Sequence, residues 1–193
     1  MQDKFLILLD DNVQEIKHQI EIPYLATHNT VSMLSADEYH PVAKNLLTLG
    51  DLTLLEIWYY WIMLVVRYMP KKFLECGKSP YAETVYTCPL ENLKKMTAHE
   101  DVATNLYADI CLTNRVLVQQ NHYLIYMVDC TGTNLPEDVA LRRNIVGALL
   151  YTANDFACLN VKLRIYLPTE VFKNDVSPSD QERVLPHSIL VGV

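Results

Sequence analysis

The stretch Tyr123-Leu124-Ile125-Tyr126-Met127-Val128-Asp129 decides how this chain is read. It is an apolar run with no charge inside it, closed by a carboxylate and then by Cys130-Thr131-Gly132-Thr133-Asn134. A continuous run of this length, rich in β-forming residues and bounded by turn residues, predicts a strand buried on both faces. The carboxyl ends of such strands border the ligand crevice in open α/β sheets. Asp129 is therefore the acid whose position suggests chemistry. It could hold Mg²⁺ through water or accept a proton. Equally, it could cap the turn that follows, with Thr131 and Gly132.

Downstream, Asn134-Leu135-Pro136-Glu137 supplies an N-cap, a proline in the first turn and an acid at the third position. Val139, Val146, Leu149, Leu150, Ala153 and Phe156 then form one apolar stripe, and Asn160 ends the helix region. Val161–Leu167 alternates apolar and basic residues, which predicts a strand nearer an edge. Lys173–Arg183 reads as a polar loop and Ser188–Val193 as a last short strand. Strand, helix, strand, loop and strand in this order predict a predominantly parallel sheet flanked by helices, in three layers.

Upstream, the strongest helix begins at Asp51 or Thr53, the latter with Glu56 at capping-box spacing. Leu54, Leu55, Trp58, Trp61, Ile62, Val65 and Tyr68 recur at three- and four-residue steps, while Tyr59, Met63 and Val66 make the other faces apolar. A helix apolar all round is a core helix. Helical spacing also covers Leu90–Met96 and Glu100–Leu117, with Pro70–Pro89 as a connection between. Nearer the start, Lys4–Leu9 reads as a strand closed by Asp10-Asp11. A helix capped at Asp11 or Asn12 follows, through Val13, Ile16 and Ile20 to Pro23. Tyr24–Met33 suggests an extended piece, Ser35–Glu38 a helix start, and His40–Leu49 a short helix closed by Gly50.

With 193 residues and 22.2 kDa, residues 1–193 suit a single α/β domain. A net charge of −7, with no basic run longer than a pair, opposes nucleic-acid binding. Five scattered cysteines without a C-x-x-C spacing oppose a disulfide framework or zinc site and point to a reduced, cytoplasmic protein. Phe5–Leu9 is too short for a signal peptide, and Ile57–Val66 falls far short of the ~20 residues that span a bilayer. No membrane association is expected.

Gly77-Lys78-Ser79 carries part of a phosphate-loop signature. However, position 72 is Lys rather than the required Gly, and Pro80 follows directly. The first glycine in the chain is Gly50, so the N-terminal part holds no Gly-rich loop, where positive φ and close phosphate approach come cheaply.

Tyr123–Asp129, the helix through Phe156 and Asn160–Phe172 together resemble the Walker B strand, intervening helix and sensor strand of KAP-like and other STAND-class P-loop ATPases. Asp51–Tyr68, with Trp58-Tyr59-Tyr60-Trp61, is similar to the aromatic helix between the two Walker motifs of that class. The resemblance implies Asp129 on the Mg²⁺ side of a nucleotide, with Thr169 and Glu170 in the sensor ending. Arg142, on the intervening helix, is a candidate nucleotide-phosphate ligand. The departures are specific: Tyr24–Met33 holds no Gly or Lys, and Cys130 stands where a second acid is expected. These departures imply a degenerate fold that acts as a binding, regulatory or scaffold module, with a protein partner or a second copy of itself. Two alternatives stand beside it. One is a Mg²⁺-dependent hydrolase or nucleotidase using Asp129 with Asp10 and Asp11. The other is a structural subunit of an oligomer.

Overall fold

The computed structural model describes residues 20–21, 24–26, 39–41, 46–74, 80–130 and 135–184. Among them the chain is a mixed α/β fold with parallel strand pairing. The strands are β1 (Ile20–Glu21), β2 (Tyr24–Ala26), β3 (Tyr39–Pro41), β4 (Tyr123–Asp129) and β5 (Val161–Tyr166). β1 pairs with Tyr123 and Leu124, and β2 with Met127, Val128 and Asp129. The register is the same in both pairings, so β1 and β2 lie along one edge of β4. β3 pairs with the outer side of β2, and β5 lines the opposite edge of β4. The run Tyr123–Asp129 is thus flanked on both edges.

Helix α1 (Leu54–Arg67) lies at the centre of the core. Thr53 and Glu56 form the expected capping box: the Thr53 amide donates to Glu56 Oε2 at 2.8 Å and the Glu56 amide to Thr53 Oγ1 at 3.3 Å. Every residue from Tyr59 to Val66 is buried. Removing each such side chain from water contributes roughly 1.5–3 kcal/mol, so this helix is a main source of stability. Around it stand α2 (Lys71–Leu74), α3 (Tyr81–Thr87), α4 (Leu90–Met96), α5 (Glu100–Gln119) and α6 (Val139–Asp155). Trp61 Nε1 donates to Ile145 O of α6 at 3.3 Å. The Tyr126 hydroxyl of β4 donates to Val65 O of α1 at 2.6 Å. Val65 carries one of the last four carbonyls of α1, a group that the helix itself leaves without a partner. The sheet therefore supplies a cap to the helix that covers it.

Burial along β4 alternates. Leu124, Tyr126 and Val128 are fully buried and Cys130 continues that face, whereas Tyr123 is 39% exposed and Ile125 is half-buried. The expectation of burial on both faces therefore holds for one face. The strand order supplies the reason. The chain passes from β3 across β2 to β4, then onward in the same direction to β5. Right-handed crossovers put the helices of both connections on one side of the sheet. The packing of α1 against α6 agrees with this.

Several element boundaries differ from the sequence reading. Ile20 is in a strand rather than a helix, because its partner Tyr123 lies on a distant strand that local spacing does not reveal. His40 begins no helix, since Tyr39–Pro41 pairs with β2. The connection Pro70–Pro89 contains α2 and α3, whose buried Phe73, Ala82 and Val85 pack into the core. The stretch read as a polar loop, Lys173–Arg183, is taken up by α7 (Thr169–Asp175) and α8 (Pro178–Val184). Helix α6 starts at Val139 with Asp138 as its cap, its Oδ1 accepting from the Leu141 amide at 2.8 Å. Leu135 and Pro136 are buried ahead of it. Lys4–Leu9, Gly77–Ser79 and Ser188–Val193 lie outside the described residues.

Candidate functional site

The connections leaving β2 and β4 run in opposite directions across the sheet, to β3 on one side and to β5 on the other. In open α/β sheets such a reversal is where ligands bind, outside the carboxyl ends of the two strands. Ala26 and Asp129 are register partners at those ends, and Tyr166, the last residue of β5, is the other partner of Asp129. The Cys130 amide donates to Tyr166 O at 2.9 Å, so the ladder holds the β4 and β5 ends level one residue beyond Asp129. The acid singled out from sequence thus closes the central strand at the point of reversal.

The other predicted residues share this rim in different ways. Thr169 and Glu170 open α7 just past Leu167-Pro168, and both are exposed. Arg142, in the first turns of α6, is engaged in a structural tie. Its Nε donates to Asp175 Oδ2 at 2.5 Å, and its Nη1 donates to Pro136 O at 3.0 Å. The bond to Asp175 raises the Arg142 pKa, so the guanidinium keeps its charge. Arg143 adds an ion pair to Asp175 Oδ1 at 3.7 Å and donates to Asn174 O at 3.0 Å. Arginine's rigid fork suits this multiple engagement better than an ammonium would. The structure therefore places Arg142 as the clamp joining α6 to α7 across the rim. Asp10 and Asp11 lie outside the described residues. Among the described residues no three His, Cys, Asp or Glu side chains converge as a metal site.

Asp175, with a side chain only 2% exposed, is the residue that sequence reasoning missed. It was hidden in a segment read as polar loop. The available signal was the apolar spacing of Val171, Phe172 and Val176, which form a small cluster with Val146 and Leu150. A surface concavity of about 590 Å³ also occurs over Ala98–Asn105. Its lining comes from one short stretch at the start of α5, which cannot enclose a ligand, so the point of strand-order reversal is the better candidate. Comparison with protein-family models, with curated proteins and with solved structures finds no match to this chain. Among the described residues no helix is long and apolar enough to cross a membrane.

Proposed function

We propose that this chain is a predominantly parallel α/β domain of P-loop-ATPase ancestry, acting inside the cell as a binding, regulatory or scaffold module. The observation that carries the reading is the reversal of strand order between β2 and β4, with Asp129 at the central strand end. In this reading a nucleotide lies outside the carboxyl ends of β2 and β4, with Asp129 on its Mg²⁺ side and Thr169 and Glu170 at the rim. Arg142 holds the rim together through Asp175.

Hydrolysis is not part of the proposal. The segment after β2 offers no glycine to bring amides close to phosphate and no lysine to neutralise it. Charge stabilisation in phosphoryl transfer depends on such preorganised donors. Isothermal titration with Mg²⁺ and ATP, paired with a phosphate-release assay, tests the reading. The expected result is Mg²⁺-dependent binding that Asp129→Ala removes, with no turnover. Tight binding accompanied by measurable turnover refutes it.

A further inference from the structure

The two faces of the β4–β5 pair are covered unequally. Leu124, Tyr126 and Val128 are fully buried, and Tyr126 bonds to α1 directly. The residues between them point the other way, because successive side chains of a strand alternate in direction. On that second face Tyr123 is 39% exposed and Ile125 is half-buried. The register adds the matching residues of β5. Lys162 stands directly opposite Ile125, and Arg164 follows two residues further along the same face and is exposed. A sheet face that carries apolar side chains is normally buried against another layer.

The charges on this face narrow what meets it. Among the described residues neither Lys162 nor Arg164 is in an ion pair with a carboxylate. Lys162 Nζ donates to Ala157 O, a bond that leaves its charge uncompensated. Burial, and then the neighbouring Arg164 charge, lower the Lys162 pKa, so the two cations repel each other. In a chain of net charge −7, such a pair on an open sheet face fits an anionic partner. Nucleic acid draws its affinity from many phosphate contacts, and two cations supply few. An anionic membrane likewise calls for a larger cluster of Lys and Arg than a pair. A protein helix suits the spacing. Helical residues four apart are separated by about 6 Å along the axis, close to the two-residue step of a strand, about 6.6 Å. Carboxylates at positions i and i+4 of a helix laid along β5 therefore meet both cations. Neighbouring strands lie about 4.8 Å apart, so an apolar stripe beside the carboxylates falls on Ile125 and Tyr123.

We propose that the sheet face formed by Tyr123, Ile125, Lys162 and Arg164 docks an amphipathic helix of a partner protein, with acidic residues four apart beside an apolar stripe. This surface uses none of the strand-end residues and serves whether or not a nucleotide binds there.

The probe is a labelled, alanine-based peptide of about 18 residues, long enough to be helical, with Glu at i and i+4 beside a leucine stripe. Fluorescence anisotropy is expected to show saturable binding to the full chain, and NMR shift changes are expected at Tyr123, Ile125, Lys162 and Arg164. Replacing both peptide Glu by Gln is expected to weaken binding, as is raising the salt concentration. Arg164→Glu, at an exposed position, turns an attraction into a repulsion and is expected to weaken binding roughly tenfold, with circular dichroism reporting an intact fold. A peptide with Lys in place of Glu is expected to bind the double variant Lys162→Glu, Arg164→Glu more tightly than the acidic peptide does. No saturable binding of the acidic peptide overturns the proposal. So do shift changes confined to other surfaces, or an affinity that neither the Gln peptide nor a folded Arg164→Glu protein alters. Tighter binding of a thymidine oligonucleotide, or of phosphatidylserine vesicles, than of the acidic peptide overturns it in favour of a different anion.

Discussion

Replacing Tyr126 by Phe removes one oxygen from the centre of the molecule and leaves the ring in place. The hydroxyl donates at 2.6 Å to Val65 O, at the carboxyl end of α1, and Tyr126 is fully buried. Without it, that carbonyl is left in the core without this donor. Leaving a buried acceptor unsatisfied costs about 1–3 kcal/mol. For a chain of this size each kcal/mol corresponds to ~2–4 °C in Tm, so a central value of about 2 kcal/mol gives a fall of roughly 4–8 °C. Urea unfolding followed by circular dichroism should show a lower midpoint with an unchanged slope, because the surface exposed on unfolding is the same.

The same residue links stability to pH. Burial pushes the Tyr126 hydroxyl well above the ordinary tyrosine range, and Tyr60 is raised for the same reason. Their contribution to stability is complete below the unfolded pKa of about 10. It is lost as pH rises above that value, since the unfolded chain then releases protons that the folded chain retains. Tyr126→Phe should therefore flatten the loss of stability above about pH 10 as well as lower the plateau. A Tm within about 1 °C of the parent protein, with an unaltered alkaline limb, refutes the assignment of this hydroxyl as a helix cap.

Three further outcomes follow from the geometry. Arg142→Met should destabilise by about 2–3 kcal/mol, toward the lower end for a broken buried pair because Arg142 keeps 22% side-chain exposure. Chemical denaturation of Arg142→Met, and of the double variant with Asp175→Leu, checks it: recovery in the double variant is expected, and its absence would count against the clamp. Thr53→Ala should cost about 1 kcal/mol through loss of the α1 cap, read as a shift in the denaturation midpoint. Among the described cysteines, Cys158 is exposed and should be alkylated first, while Cys130 should be modified only on unfolding. Burial raises the Cys88 and Cys111 thiols, so both should label slowly at neutral pH; peptide mapping by mass spectrometry gives the order.

Where a segment's structure is set by its own residues, the sequence reading met the structure closely. The Thr53–Glu56 box, the all-round apolar α1, α4 over Leu90–Met96 and β4 over Tyr123–Asp129 carry their signals locally. The segments that escaped it are fixed by distant partners. A three-residue strand such as Tyr24–Ala26 holds too few residues to show a period, and it exists through pairing with β4. Helix α3 ends where Arg67 Nη1 donates to Val85 O and Tyr86 O, and to Cys88 O just beyond, a cap supplied from another helix. The buried Thr113 hydroxyl likewise donates to Phe73 O, holding α2 from α5. At the rim, Asp129 was legible because a charge ends an apolar run. Asp175 was not, because its value depends on an arginine on another helix.

The all-round burial of α1 also has a consequence for synthesis. Tyr59–Val66 leaves the ribosome before α5, β4 and α6, the elements that cover it. About 90 residues separate Val66 from the end of α6, an interval of roughly 5–18 s at ordinary elongation rates. For that interval this helix, apolar on every face, lacks the elements that cover it in the folded protein. β1, β2 and β3, made earlier still, wait for β4 before the sheet can close. The yield of the protein on expression should therefore depend on chaperone supply more than its final stability suggests.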